Sequence, residues 1–185
     1  MTQAIKSMKR KPLVFIAEDL PKNLQVVFNL LSKEGYDIAA AGDGRKALEM
    51  LQKVKPDLIL LDVMMPEMNG FEVCKRLKEM PEVKDIPIIF LTALSRTEDI
   101  IEGLEMGAVD YVTKPFRSKE LVTRVKNHLE LKFSREALEE SNAAKDRIFS
   151  IIAHDVRTPL SNLMFAAEFL RDSIDGSDEC LNKER

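Results

Sequence analysis

Leu58-Ile59-Leu60-Leu61-Asp62-Val63-Met64-Met65-Pro66 is the stretch from which the rest of the chain can be read. Four apolar residues run without a polar break and stop at a carboxylate, the pattern of a buried strand that ends where a loop begins. Three other runs end as abruptly in chemistry: Val14-Phe15-Ile16-Ala17 in Glu18-Asp19, Ile88-Ile89-Phe90-Leu91 in Thr92, and Val109-Asp110-Tyr111-Val112-Thr113 in Lys114-Pro115. In an open parallel sheet the carboxyl ends of the strands share one edge, which is where such sheets bind ligands. Three acids, a hydroxyl and an ammonium are therefore expected to converge there.

Outward from this stretch, short β-type runs alternate with amphipathic segments, the signature of a parallel sheet covered on both faces. The pattern predicts strands over 13–17, 37–40, 58–61, 88–91 and 109–112, and helices over 21–33, 44–53, 70–80, 97–106 and from 118 onward. This is a doubly wound α/β fold with a five-stranded parallel sheet. Gly35 and Gly107 stand where helix C-caps are expected, Asp43 reads as an N-cap, and Pro56, Pro66 and Pro87 fall in connections. The Ala-rich second strand has the least strand-specific composition, since alanine favours helix as readily.

After Leu129 the β-type runs stop, and from 118 to 173 there is no glycine and one interior proline, Pro159. A long helix leaving the α/β domain is expected. Leu131, Leu138, Ile148 and Ile152 form a sparse apolar spacing, and Leu160, Leu163, Ala167, Leu170 and Ile174 follow alternating steps of three and four, a coiled-coil seam. One helix does not bury such a stripe alone, so a partner helix is expected from a second copy or from sequence not present here. The segmentation is thus an N-terminal tail over 1–11, an α/β domain over 12–132, a helical linker over 133–147, a seam helix over 148–174, and a polar, frayed tail over 175–185.

The chain has 185 residues, 45% of them hydrophobic, enough to fill a core. A net charge of −3 and a pI near 5.6 argue against a general nucleic-acid surface, and the one conspicuously basic stretch, from Lys6 to Lys11, reads as solvated tail. No apolar run approaches the roughly 20 residues needed to span a bilayer, and no secretory leader is visible, so a cytoplasmic protein is expected. Cys74 and Cys180 form neither a disulfide framework nor a zinc site.

Glu18 and Asp19 after the first strand, with Asp62 after the third, suit a hard divalent cation bound through oxygen, Mg²⁺ or Mn²⁺. Such an ion would offset repulsion between the carboxylates and an incoming phosphoryl group, while Lys114 and the Thr92 hydroxyl hold phosphoryl oxygens. Asp62 then has the role of nucleophile towards phosphorus.

On these residues the chain resembles the receiver domain of bacterial two-component response regulators. The pieces that carry the likeness are Glu18-Asp19, Asp62-Val63-Met64-Met65-Pro66-Glu67-Met68-Asn69-Gly70, Thr92-Ala93, and Tyr111 followed by Lys114-Pro115-Phe116, over roughly 12–132. The resemblance implies a flavodoxin-like receiver fold in which Asp62 accepts a phosphoryl group from a phosphohistidine. It further implies that Asp19, Asp62 and the Met64 carbonyl bind Mg²⁺, with Glu18 assisting through water. Thr92 and Tyr111 would form a switch pair, and the fourth helix, fifth strand and fifth helix the output face.

Two other chemistries on similar architecture are disfavoured by single residues. A phosphatase resembling the haloacid dehalogenases needs an aspartate two positions after the nucleophile, where this chain has Met64. Flavodoxin-like cofactor binding needs a glycine-, serine- or threonine-rich phosphate loop after the first strand, whereas Glu18-Asp19-Leu20-Pro21 would repel a phosphate in the absence of metal. Met64, Met65 and Met68 read as loop and packing residues.

On the long helix, His154 stands in Phe149-Ser150-Ile151-Ile152-Ala153-His154-Asp155-Val156-Arg157-Thr158-Pro159-Leu160. At 100° per residue it points roughly 160° away from Ile152, so it should face solvent. Asp155 would orient the ring and raise its basicity, leaving the other nitrogen free as a nucleophile, and Pro159 should kink the helix just beyond. This segment is similar to the phosphoacceptor box of sensor histidine kinases, which implies a second phosphoacceptor at His154 on the first helix of a dimerisation domain. The second helix and the ATP-binding domain of such kinases are not within this sequence, so it is not expected to phosphorylate His154 from ATP unaided.

Together these features predict a Mg²⁺-dependent phosphorelay module that catalyses its own phosphoryl acceptance and hydrolysis, a piece of a hybrid histidine kinase. Its expected partners are a histidine kinase or phosphotransfer protein as donor and a second copy through the C-terminal helix, with no direct nucleic-acid binding. The alternative is a dimerisation or docking module that is not phosphorylated. Intact acids together with Thr92 and Lys114 argue against it.

Overall fold

The computed structural model describes residues 10–93, 101 and 103–182; within this range the side chains of 150, 151, 153, 155, 156, 158–160, 162, 163 and 165–182 are not described. Five strands, β1 (Leu13–Ala17), β2 (Asp37–Ala41), β3 (Leu58–Asp62), β4 (Ile88–Thr92) and β5 (Asp110–Thr113), form one parallel sheet in the order β2-β1-β3-β4-β5. Helices α1 (Pro21–Lys33), α2 (Gly44–Leu51) and α3 (Gly70–Glu79) connect them, and a C-terminal helix covers Ser118–Asn182. The doubly wound five-stranded fold expected from the sequence is the one observed. Of the helix expected over 97–106, residues 97–100 and 102 lie outside the described range, and 101 and 103–105 are helical.

Period-two alternation assigns most strand residues to one of two cores. Phe15, Ala17, Ile59, Leu61, Ile88 and Phe90 pack with Ala47, Leu51, Val73, Cys74 and Leu77 of α2 and α3. Val14, Ile16, Leu58, Leu60, Ile89 and Leu91 pack on the other face with Val27 and Leu31 of α1 and with Leu121, Val125, Leu129 and Phe133 of the C-terminal helix. Both faces of the central strands are buried, which is why they read as unbroken apolar runs. The Ala-rich β2 is a strand because β1 supplies a ladder from Leu13↔Asp37 to Ala17↔Ala41; pairing overrides its ambiguous composition. Strands β3 and β4 extend one residue beyond their apolar runs, because Asp62 pairs with Leu91 and Thr92 with Thr113.

Local punctuation follows the expected physics. The Asp43 side chain accepts from the Lys46 N–H at 2.7 Å, and Asn69 with Glu72 forms a reciprocal capping box at the start of α3. Gly35 and Gly107 adopt φ of 89° and 96°, left-handed conformations that end their helices.

Opposite the carboxyl edge, the strand starts are tied together by Asp57, which is 1% exposed. It accepts from both guanidinium nitrogens of Arg10 at 2.7 and 2.8 Å, from the Leu13 N–H at 2.8 Å and from Lys132 Nζ at 3.2 Å. Arg10 is therefore not part of a merely solvated tail. Burial alone pushes the Asp57 carboxyl up, but Arg10, the Leu13 N–H and Lys132 outweigh it and hold it below its ordinary value near 3.8. A depressed carboxyl contributes stability that is full above its ordinary value and is lost as pH falls through the folded value. Asp57→Asn is expected to cost about 2 kcal/mol at neutral pH. Urea unfolding should also show that the variant loses less stability than wild type on acidification below pH 4; equal acid slopes would refute the assignment.

The chain divides into two compact units, 1–135 and 136–185. In the first, Arg124 Nη1 donates to both Asp110 oxygens at 2.7 and 2.9 Å and His128 Nε2 lies 3.0 Å from Asp110, fastening the C-terminal helix to β5. The second unit is helical to Asn182, where a frayed tail from 175 was expected; no proline interrupts the helix after Pro159. The helix is also continuous through Pro159. Among the described residues, no helix is long and apolar enough to cross a membrane.

Candidate functional site

The strand order places the functional residues. The chain moves from β1 outward to β2, then returns across β1 to β3, so neighbouring strands β1 and β3 send their following connections in opposite directions. That reversal opens a crevice at their carboxyl ends. Glu18 and Asp19 follow β1, Asp62 closes β3, Thr92 closes β4, and Lys114 follows β5. All five predicted side chains therefore start from one edge.

Glu18, Asp19 and Asp62 each bring a carboxylate oxygen within 4.8 Å of the others. Lys114 Nζ donates at 2.6 Å to Glu18 Oε2 and at 2.6 Å to Asp62 Oδ2. The Lys114–Pro115 peptide is cis, and the Lys114 N–H donates to the Thr92 carbonyl at 2.7 Å, joining the ends of β4 and β5. Asp62 is 2% exposed, and its other oxygen, Oδ1, accepts from the Met64 N–H at 3.1 Å. Thr92 is buried at the same edge.

Glu18 is 0% exposed, and burial raises its carboxyl above the usual range, with the Asp62 charge acting the same way. Hydrogen bonds from Lys114 and Asn23 oppose this without cancelling it. Asn23 Nδ2 donates to Glu18 Oε1 at 2.8 Å. No motif pointed to Asn23; its place in the first turn of α1, five residues after Glu18, was the available signal.

Two observations fit a hard cation here. Asp19 Oδ1 is buried without a hydrogen-bond partner, and such an oxygen is costly to leave unsatisfied. The donor set is all oxygen, as Mg²⁺, Mn²⁺ and Ca²⁺ require.

The loop after Asp62 is held close by Gly70. Its N–H donates to the Val63 carbonyl at 2.9 Å, and a Cβ at this position would lie 2.2 Å from the Asp62 carbonyl oxygen. Glycine is required because two stretches of backbone touch there. Met64 is exposed at the rim, Met65 is buried and Met68 packs against the core, consistent with loop and packing roles.

Tyr111 is half-buried on β5 against the α2–α3 core, with the Arg124 guanidinium 5.9 Å from its ring centroid. It does not belong to the carboxylate cluster. His154 is exposed on its helix, as is Ile152 at 52%, so both sides of that turn face outward in this chain. The side chains of Asp155 and Pro159, and of the expected seam at 160, 163, 167, 170 and 174, lie outside the described residues.

Comparison with known proteins agrees with this architecture. Residues 14–126, more than half the chain, match the response regulator receiver domain, and residues 144–184 match the His Kinase A (phospho-acceptor) domain. The DNA-binding response regulator MtrA of Mycolicibacterium smegmatis is 44% identical over 116 residues, 63% of this chain but only half of that protein's length. The receiver domain of a signal transduction histidine kinase from Syntrophus aciditrophicus is similar at 39% identity and a TM-score of 0.60, covering 64% of this chain and 89% of that one. A sensor histidine kinase receiver domain from Pseudomonas aeruginosa PAO1, solved with a magnesium ion coordinated in its active-site cleft, is similar at 28% identity and a TM-score of 0.61, covering 65% of this chain and 98% of that one. With its β2-β1-β3-β4-β5 sheet and this run of matches, the chain belongs to the response regulator receiver family, with a segment that matches the His Kinase A phospho-acceptor domain following the receiver.

Proposed function

We propose that the chain is the receiver and first phospho-acceptor helix of a hybrid histidine kinase, and that Asp62 takes a phosphoryl group from a phosphohistidine in a Mg²⁺-dependent reaction. The observation that carries this reading is the meeting of three acids with Lys114, whose Nζ stands 2.6 Å from both Glu18 and Asp62. A site kept only for packing or docking has no need of three repelling carboxylates and an ammonium in one crevice.

Asp19 and Asp62, with the Met64 carbonyl, would hold Mg²⁺ or Mn²⁺, and Glu18 would assist through water. When bound, the cation offsets the repulsion between these carboxylates and the phosphoryl oxygens. Asp62 supplies the attacking oxygen: its bond to phosphorus forms as the phosphorus–nitrogen bond to the donor imidazole breaks, and the released imidazole takes a proton from solvent. Lys114 transfers its hydrogen bond from Asp62 to a phosphoryl oxygen, and the Thr92 hydroxyl donates to another. Catalysis by this chain is positioning and charge stabilisation, and water reverses the modification by hydrolysis.

Tyr111 would respond to Thr92 by turning inward, and the C-terminal helix would carry the change onward as altered rotation or dimer geometry. His154, oriented by Asp155, is the second proposed phosphoacceptor. The phosphoryl donor is a histidine kinase or phosphotransfer protein, a second copy pairs along the C-terminal helix, and a cytoplasmic location accompanies this reading.

Incubation with Mg²⁺ and acetyl phosphate or phosphoramidate, followed by intact mass measurement, is expected to add one phosphoryl group, and chelation of the metal to prevent it. No added mass under conditions that label other receivers would favour the docking alternative.

A further inference from the structure

We propose that Asn23 is a positioning residue of the acidic site: by fixing the Glu18 carboxylate it sets the affinity of Glu18, Asp19 and Asp62 for a divalent cation. The inference rests on the metal-dependent reading above and extends it to a side chain outside the acid cluster.

Glu18 is fully buried and must find hydrogen-bond donors within the protein. It has two, one for each oxygen: Lys114 Nζ at 2.6 Å on Oε2 and Asn23 Nδ2 at 2.8 Å on Oε1. Dividing the oxygens between separate donors fixes the rotation of the carboxylate. Lys114 also holds Asp62 Oδ2, so Asn23, Glu18, Lys114 and Asp62 form one continuous string of hydrogen bonds.

A cation entering among the acids competes with the Lys114 ammonium for the same oxygens. With Asn23 in place, Glu18 offers Lys114 one oxygen only. Without it, both Glu18 oxygens turn to the single donor left, and Lys114 is gripped more tightly against the carboxylates that the cation needs. Asn23 thus keeps the ammonium releasable.

The position tolerates substitution. Asn23 is half-exposed and lines, with Val26, Lys114, Pro115 and Phe116, an open cleft of about 390 Å³, so a change there leaves both cores untouched.

The test uses the whole chain and Mn²⁺ alone, titrated by calorimetry. Asn23→Leu, which keeps the branched shape without the donor, and Asn23→Ala should each weaken Mn²⁺ binding about tenfold, as loss of an outer partner of a metal site does. The metal-free unfolding midpoint should fall modestly, since Lys114 still holds the Glu18 carboxylate, and the chain should remain folded at the temperature of the titration. In a Glu18→Gln background, Asn23→Leu should have no further effect, because its action runs through that carboxylate. Unchanged affinity in both Asn23 variants, or losses that add to that of Glu18→Gln, would overturn the proposal while leaving the metal site standing. A wild-type chain that binds no Mn²⁺ would instead sink the metal-dependent reading, and this inference with it.

Discussion

Asp62→Asn is expected to reduce phosphoryl incorporation from acetyl phosphate or phosphoramidate to background while leaving the fold intact. The amide has nearly the shape of the carboxylate, and its one oxygen keeps one of the two hydrogen bonds that Asp62 accepts on separate oxygens, from Lys114 Nζ on Oδ2 and from the Met64 N–H on Oδ1, so the strand end stays in place. What it lacks is a nucleophilic oxygen of carboxylate character, without which no acyl phosphate forms. Intact mass measurement reads the result directly. Hydroxylamine, which cleaves acyl phosphates, should remove the label from wild type. A variant that gains the same hydroxylamine-sensitive phosphoryl group would refute Asp62 as the acceptor. Label that survives hydroxylamine but not acid would instead direct attention to a histidine, with His154 the first to be replaced.

The second large effect is on stability, at Gly70. An alanine Cβ would meet the Asp62 carbonyl oxygen at 2.2 Å, the Asp62 carbonyl carbon at 2.9 Å and the Val63 Cα at 2.9 Å. All three are backbone atoms of the strand end and its following loop, so no rotamer change relieves the overlap. Gly70→Ala should cost about 3 kcal/mol or more. Because the strain falls on the peptide that carries Asp62, phosphoryl acceptance should fall as well, even at temperatures where the variant is folded. Chemical denaturation together with labelling checks both effects. Wild-type stability in Gly70→Ala would mean that α3 does not approach β3 as closely as described.

Much of the fold was legible because its signals are local. A strand buried on both faces must be apolar at every position, so runs such as 58–61 and 88–91 announce themselves without knowledge of their neighbours. The N-cap at Asp43 and the glycine caps at 35 and 107 follow equally from backbone chemistry within a turn. Strand β2 was less legible, since its alanines acquire strand character only through the ladder with β1. The limits of β3, β4 and β5 shifted by one residue for the same reason: ladders continue past the last apolar side chain.

The candidate site divides along the same line. Glu18, Asp19, Asp62, Thr92 and Lys114 could be proposed together because each interrupts or follows an apolar run, and parallel strands bring their carboxyl ends to one edge. Asn23 and the Asp57 cluster could not. Arg10, Asp57 and Lys132 are far apart in sequence and meet through sheet order and helix packing, which no local pattern encodes. Arg10 looked like tail for that reason.

By itself, then, the order of residues determined the α/β class, the number of strands, and which chemical groups stand at the strand ends, because burial and backbone geometry act within a few neighbours. Only the tertiary structure decided that Lys114 bridges Glu18 and Asp62, that Asn23 holds the far side of Glu18, and that Asp19 keeps an unpartnered oxygen. Those facts depend on distances of a few ångströms between segments up to 96 residues apart, which are set by how strands pair and helices pack rather than by any segment's own preference.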